Sequence, residues 1–246
     1  PHFQLNLARA FGGEFDCGTA AGAAFHCAGE FDFIAAHFAD EFHRDLVAVE
    51  FAHDIKGNII AFMQRFSFAS IINIQEGIPI ATPLPFVIEE RDNEIILISH
   101  FARANEQWKY LEQGTTLVLF SEPHAYISPA HYDHEQNVPT WNYVTVHAYG
   151  KAHIMEDEND KLHILEKTIQ SFEPDYAAQW NRLPEKFRNG LLRGIVAFEI
   201  TITDMQAKSK LSQNRSKEER QRIMDALADS EHTNEKLISD YMNKIK

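Results

Sequence analysis

Cysteine is scarce in this chain. There are two, Cys17 and Cys27, and no CxxC. That fits a reducing compartment, the cytoplasm, better than a disulfide-stapled secreted fold. No apolar run is long enough to span a bilayer. The opening residues carry Glu14 and Asp16 against one base, Arg9, so they do not read as a signal peptide. Positive charge is in deficit: 23 Lys and Arg against 36 Asp and Glu, or 23 − 36 = −13. A surface that acidic opposes gripping DNA or an anionic membrane, though it leaves room for a local cationic site. There is no GxGxxG, no GxxxxGK[ST] and no GxSxG, so dinucleotide, P-loop and α/β-hydrolase readings lose their usual support. His134-Glu135 begins like HExxH, but Val138 stands where the second His must be.

What remains is a folded core. Over 246 residues, 44% are hydrophobic and 24% charged, which is ordinary for a globular protein. Residues 1–40 differ from the rest, being crowded with Ala, Gly and Phe. They repeat Gly-Glu-Phe-Asp at 13–16 and 29–32, and read as an atypical arm. Residues 41–215 carry the main domain and 216–246 a helical segment.

Short runs of Ile, Val, Thr and Phe predict strands at 68–74, 78–88, 94–99, 115–120, 125–128, 142–155 and 195–203. Glu76-Gly77 and Asp92-Asn93 lie between neighbouring runs, as hairpin turns would. Helical spacing appears at 58–66, 104–113, 160–172 and 184–192. Ser216-Lys-Glu-Glu219 is a capping-box pattern opening a helix to about 227, and a last amphipathic helix covers 234–245. Strands and helices do not alternate strictly, so the fold class is mainly β with peripheral helices, an antiparallel barrel or sandwich.

Three polar clusters sit at element boundaries. In the first, a strand ending at Ser99 runs into a helix near Ala104. Ser99, His100 and Arg103 would add donors to the free N–H groups of that helix start and make a phosphate site. Arg103 could grip two oxygens there; the plainer alternative is a capped helix with Arg103 on a surface carboxylate. In the second, Val138-Pro-Thr-Trp-Asn-Tyr143, Trp141 offers a flat face and Asn142 a donor and an acceptor for a planar ligand. The alternative is that Trp141 and Tyr143 point into the core. The third, 208–215, reads as a basic, amide-rich loop that would reach a phosphate or pair with acidic partners, or is merely solvated. His124, His131 and His134 fall in a Pro-broken loop, and no metal is assigned to them.

These clusters, in order, resemble the PaiB family of FMN-binding split-barrel proteins, some of which are described as negative transcriptional regulators of protease synthesis and sporulation. The residues that carry the resemblance are His100-Phe-Ala-Arg-Ala-Asn-Glu-Gln-Trp108, Ala125-Tyr-Ile-Ser-Pro129, Val138-Pro-Thr-Trp-Asn-Tyr143 with Val146-His-Ala148, Lys210-Leu-Ser-Gln-Asn-Arg215, and Pro79-Ile-Ala-Thr-Pro-Leu-Pro85. The match runs from about residue 66 to 227. The resemblance implies a six-stranded split β-barrel and a homodimer with FMN between the subunits. The strand at 80–84, including Thr82, would run beside the isoalloxazine. Ser99, His100, Arg103 and Asn105 would hold the phosphate. Trp141 and Asn142 would come from the partner subunit, and Lys210, Gln213 and Asn214 would close the site. The chain departs from the family pattern at Pro83, where His is expected, at Glu106, where Pro is expected, and near Ser209, where an aromatic is usual. Pro83 also removes a backbone donor.

A PaiB-like regulatory flavoprotein is thus the leading expectation. Two alternatives stay open: a flavin-dependent oxidoreductase of the pyridoxamine-phosphate-oxidase-like class, by analogy of fold alone, and a haem-binding split barrel, motivated by 13 histidines. The only basic helix, near 216–222, contains Glu218 and Glu219, so direct DNA recognition has little support from charge.

Overall fold

Two tight turns start the sheet. Glu76 and Gly77 have φ of 50° and 83°, and Asp92 and Asn93 have 51° and 69°. Left-handed backbone at both central residues gives the turn that matches the twist of a hairpin. The first joins β1 (Phe68–Gln75) to β2 (Ile78–Pro85), and the second joins β3 (Val87–Arg91) to β4 (Glu94–Ala102). Residues 53–244 are described in this computed structural model, and all lie in a compact unit spanning Asp45–Lys246. The expected arm at 1–40 and both cysteines fall outside the described residues.

The remaining strands are β5 (Thr116–Phe120), β6 (His124–Ile127), β7 (Thr140–Ile154) and β8 (Ile195–Lys210). All pairings are antiparallel, in the order β2-β1-β5-β7-β8-β4-β3, with β6 on β7. The sheet therefore has eight strands, where the family resemblance implied a six-stranded barrel. β2 and β3 stand at opposite ends of this order, yet only Phe86 separates them in the chain. The sheet must curl until its ends meet. Phe86 drops into the core at that seam, near Phe120 and Phe198, and breaks the single strand predicted at 78–88. Across the seam, Ser99 Oγ on β4 donates to the Pro85 carbonyl at 2.7 Å.

Inside the curl lie Ile71, Leu97, Phe101, Val118, Phe120, Ala148, Phe198 and Ile200, all fully buried. Their alternation along each strand is what the period-2 pattern predicts. Helix α1 (His53–Arg65) lays Ile59, Phe62 and Met63 on this core. It begins before the expected residue 58, because a helix interior tolerates Gly57 at a cost of about 1 kcal/mol. Helix α2 (Glu158–Phe172) packs Ile164 against Val87, Ile96 and Ile98, and short helices α3 (Ala177–Arg182) and α4 (Glu185–Arg193) lead back into β8. Helices α5 (Lys217–Ala228) and α6 (Thr233–Lys244) bury Ile223, Leu227, Ile238 and Met242 against Ala125 and Ile127 of β6. The capping box is present: Glu219 N donates to Ser216 Oγ and Ser216 N to Glu219 Oε2.

Two further expectations change. The helix expected at 104–113 is a 3₁₀ segment, Glu106–Gln113. The strand expected to end at 203 runs on to Lys210, so Lys208, Ser209 and Lys210 are strand residues rather than a basic loop. The reason is β7: its long first half needs a partner, and β8 pairs with it as far as Tyr143↔Lys210.

Candidate functional site

β2 is an edge strand, and its prolines show how that edge is built. Phe86 N donates to Ser67 O at 2.8 Å, so even-numbered N–H groups of this segment face β1. The odd-numbered positions, Pro79, Ala81, Pro83 and Pro85, face outward. Three of them have no N–H, which leaves Ala81 as the outward backbone donor of the strand. Pro83 therefore costs β1 no ladder bond. It removes a donor only from the open edge, and such an edge also resists pairing with other chains.

Beyond the exposed Ile78, the even-numbered side chains of β2, Ile80, Thr82 and Leu84, face inward. Thr82 meets a polar chain there. Asn105 caps the 3₁₀ segment, its Oδ1 accepting from Gln107 N at 3.0 Å. Its Nδ2 donates to Thr82 Oγ1 at 2.9 Å, and Thr82 Oγ1 donates to Gln107 Oε1 at 2.7 Å. Gln107 Nε2 donates to Ile71 O at 3.1 Å and Asn73 Oδ1 at 3.0 Å. Asn73 Nδ2 donates to Thr116 Oγ1 at 2.8 Å, which in turn donates to Leu111 O. Gln107 is 5% exposed, while Thr82 and Asn105 are half-buried. From sequence, Asn73 and Thr116 carry no role, and Gln107 enters only as part of the 100–108 motif. The available signal for Gln107 was its place two residues after the capping Asn105.

Ser99 is 2% exposed and its hydroxyl is spent on the seam. His100, next along β4, is largely buried, and that burial holds its imidazole below its ordinary value. It is therefore mainly neutral at pH 7. Arg103 does grip two oxygens, but they are backbone carbonyls. Nε bonds Arg193 O at 3.0 Å and Nη2 bonds Ile195 O at 3.1 Å. These belong to the end of α4 and the start of β8, where a helix leaves carbonyls unpaired and favours a cation. Its guanidinium also lies 5.9 Å from the Trp108 ring. The helix mouth is thus occupied, by the Asn105 cap at its first turn and by Arg103 at its neighbour.

The second cluster is elsewhere. Ala102 of β4 pairs with Ile195, while Tyr143 of β7 pairs with Lys210, so the clusters sit at opposite ends of β8. That is roughly 50 Å measured along the strand. Trp141 is 51% exposed, with His124 and Tyr126 beside it at 5.4 and 6.0 Å between ring centroids. Asn142 is 0% exposed. So it is Asn142 that points inward, not Trp141. Lys210 Nζ donates to Thr140 Oγ1 at 2.7 Å. Gln213 folds back, Oε1 accepting from Leu211 N and Nε2 donating to Ser209 O, and Asn214 is exposed in the turn before α5. The exposed aromatic face of His124, Tyr126 and Trp141 was only partly legible, because β6 was read without its partner.

One family model, "Putative FMN-binding domain", matches residues 45–204. The chain is 38% identical over 189 residues to the "Protease synthase and sporulation protein PAI 2" of Bacillus subtilis, covering 75% of this chain and 90% of that protein. It is 31% identical over 180 residues to an uncharacterised protein of Emericella nidulans, covering 57% and 72%. Among solved structures, the FAD and haem binding protein from Mycobacterium smegmatis superposes with a TM-score of 0.51 at 15% identity, over 67% of this chain and 76% of that one. The fold and these matches define the class: a split-barrel protein of the FMN-binding kind. Within it the chain belongs to the PaiB family, whose cofactor is FMN.

The residues present suit that cofactor. FMN joins a neutral, flat ring edged with donors and acceptors to an anionic phosphate. Thr82 and Asn105 offer uncharged polar groups, and burial favours the neutral form of His100. Arg103 brings positive charge to the same motif, although its Nε and Nη2 already bond Arg193 O and Ile195 O, and the one acid inside the 100–108 motif, Glu106, is exposed and bonded to Lys109.

Proposed function

We propose that this protein is a cytoplasmic, PaiB-like regulator that acts as an FMN-binding homodimer. In this reading the flavin lies along β2, with Thr82 and Asn105 beneath it. His100 and Arg103 lie toward the phosphate, and Trp141 of a second subunit covers the ring. The observation that carries the reading is the separation of the two clusters along β8. Two conspicuous ligand-like patches at opposite ends of one long strand suit a site completed by a second copy.

Regulation through another protein or a metabolite fits better than direct contact with DNA. Helix α5 was the basic candidate, and its arginines are committed to the protein itself. Arg220 Nη2 donates to Met242 O, and Arg222 bonds His131 O and Asp133 Oδ1. Among the described residues, no helix is long and apolar enough to cross a membrane.

The test is direct. Purified protein should carry, or take up, one FMN per subunit, seen in its visible spectrum and by fluorescence titration. It should sediment as a dimer. A chain that binds no added FMN would refute the proposal, and a gel shift that persists at physiological salt would overturn the indirect route to regulation.

A further inference from the structure

The hydrogen-bond chain around Thr82 has a direction, and backbone groups fix it. Gln107 N is a donor, so the Asn105 atom facing it must be Oδ1. That leaves Nδ2 facing Thr82. Ile71 O is an acceptor, so the Gln107 atom facing it must be Nε2. That leaves Oε1 facing Thr82. Thr82 Oγ1 thus accepts a hydrogen bond from Asn105 and donates its own to Gln107. Further along, Gln107 donates to Asn73, Asn73 to Thr116, and Thr116 to Leu111 O. No side chain in this chain can flip without leaving a buried partner unpaired, at a cost of about 1–3 kcal/mol.

After these bonds, two valences remain at the half-buried end. Asn105 Nδ2 keeps one N–H, and Thr82 Oγ1 keeps one lone pair. The two atoms are 2.9 Å apart. A donor beside an acceptor complements an acceptor beside a donor, which is the edge of a cyclic imide, C=O next to N–H. The pyrimidine end of the flavin ring has such an edge. A phosphate does not. At neutral pH a phosphate monoester is mainly the dianion, with little proton to give to Thr82, and its oxygens would face the Thr82 lone pair.

We propose that Thr82 and Asn105 read the imide edge of the flavin rather than its phosphate, and that Gln107 is the positioning residue that makes Thr82 an acceptor. This rests on the FMN reading above. It moves Asn105 from the phosphate end, where the resemblance placed it, to the ring end.

The experiment measures dissociation constants by fluorescence titration for FMN, riboflavin and 3-methyl-FMN, in which the imide proton is replaced by methyl. The wild-type protein should bind 3-methyl-FMN about tenfold or more weakly than FMN, because a site built to bond an N–H penalises its absence. Thr82→Val should bind FMN about tenfold more weakly than wild type and should bind 3-methyl-FMN with no further loss. Its penalty should be the same for riboflavin as for FMN. Gln107→Leu frees the Thr82 proton, so the ratio of 3-methyl-FMN to FMN dissociation constants should fall toward one, whatever its melting temperature does. Equal wild-type binding of FMN and 3-methyl-FMN would overturn the inference without any variant. So would a Thr82→Val penalty that disappears with riboflavin, since that would place the contact at the phosphate. If wild-type protein binds none of the three flavins, the FMN reading itself fails. If it binds FMN but shows no preference against 3-methyl-FMN, only this inference does.

Discussion

Asn142 and Ser212 bond to each other twice across the foot of the barrel. Asn142 Nδ2 donates to Ser212 Oγ at 3.0 Å, and Ser212 Oγ donates to Asn142 Oδ1 at 3.1 Å. Ser212 holds left-handed backbone, φ 57°, to reach it, and Met242 Sδ of α6 lies 3.5 Å from the same Nδ2. One amide therefore ties β7, the turn after β8 and the last helix together.

That pair predicts opposite behaviour from two adjacent residues. Asn142→Ala leaves the Ser212 hydroxyl buried without a partner and should lower unfolding stability by about 1–3 kcal/mol. Trp141→Ala removes a half-exposed ring and should change stability by no more than about 0.5 kcal/mol. Under the dimer reading it should still weaken FMN binding and dimerisation. Urea denaturation and flavin titration of both variants check this. Full stability in Asn142→Ala would contradict the structural role.

Gly150 marks where β7 and β8 approach too closely for a side chain. An added Cβ would lie 2.4 Å from Thr201 O and 2.6 Å from Ile200 Cγ2, beside the register shift at Tyr149/Gly150. Backbone cannot yield as a flexible side chain can. Gly150→Ala should therefore lower stability by about 1–3 kcal/mol, read as a lower denaturation midpoint. A midpoint matching wild type would show that the two strands part freely.

Two histidines set a pH dependence. Burial lowers the imidazoles of both His100 and His147. Below the unfolded value of about 6.5 the unfolded chain takes up protons that the folded chain refuses, so folding loses stability as pH falls. Above that value both states are neutral and the contribution is fully present. Denaturation midpoints should fall between pH 7 and pH 5, and the double variant His100→Gln with His147→Gln should show a shallower fall. An unchanged slope in the double variant would assign the effect to other groups.

Much of the architecture was local enough to read from the chain. Glu76-Gly77 and Asp92-Asn93 announced their turns because left-handed backbone favours Gly, Asn and few other residues. Ser216 and Glu219 announced a helix start because both capping partners lie three residues apart. The motif around Arg103 and Asn105 was legible for the same reason: its residues are neighbours in sequence.

What a side chain does with its valences was not local. Arg103 looked free to hold an anion, yet the end of α4, 90 residues on, takes its guanidinium. Asn105, Thr82, Gln107, Asn73 and Thr116 became one polar chain only when β1, β2 and the 3₁₀ segment met. Residues 208–210 carried the charges of a loop, and pairing with β7 made them strand. The sequence by itself determined the turns, the caps, the alternating core and the family. The tertiary structure alone decided which polar groups remain free for a ligand. Hydrogen bonds saturate, and which of them are already made depends on partners that only the closed barrel brings within reach.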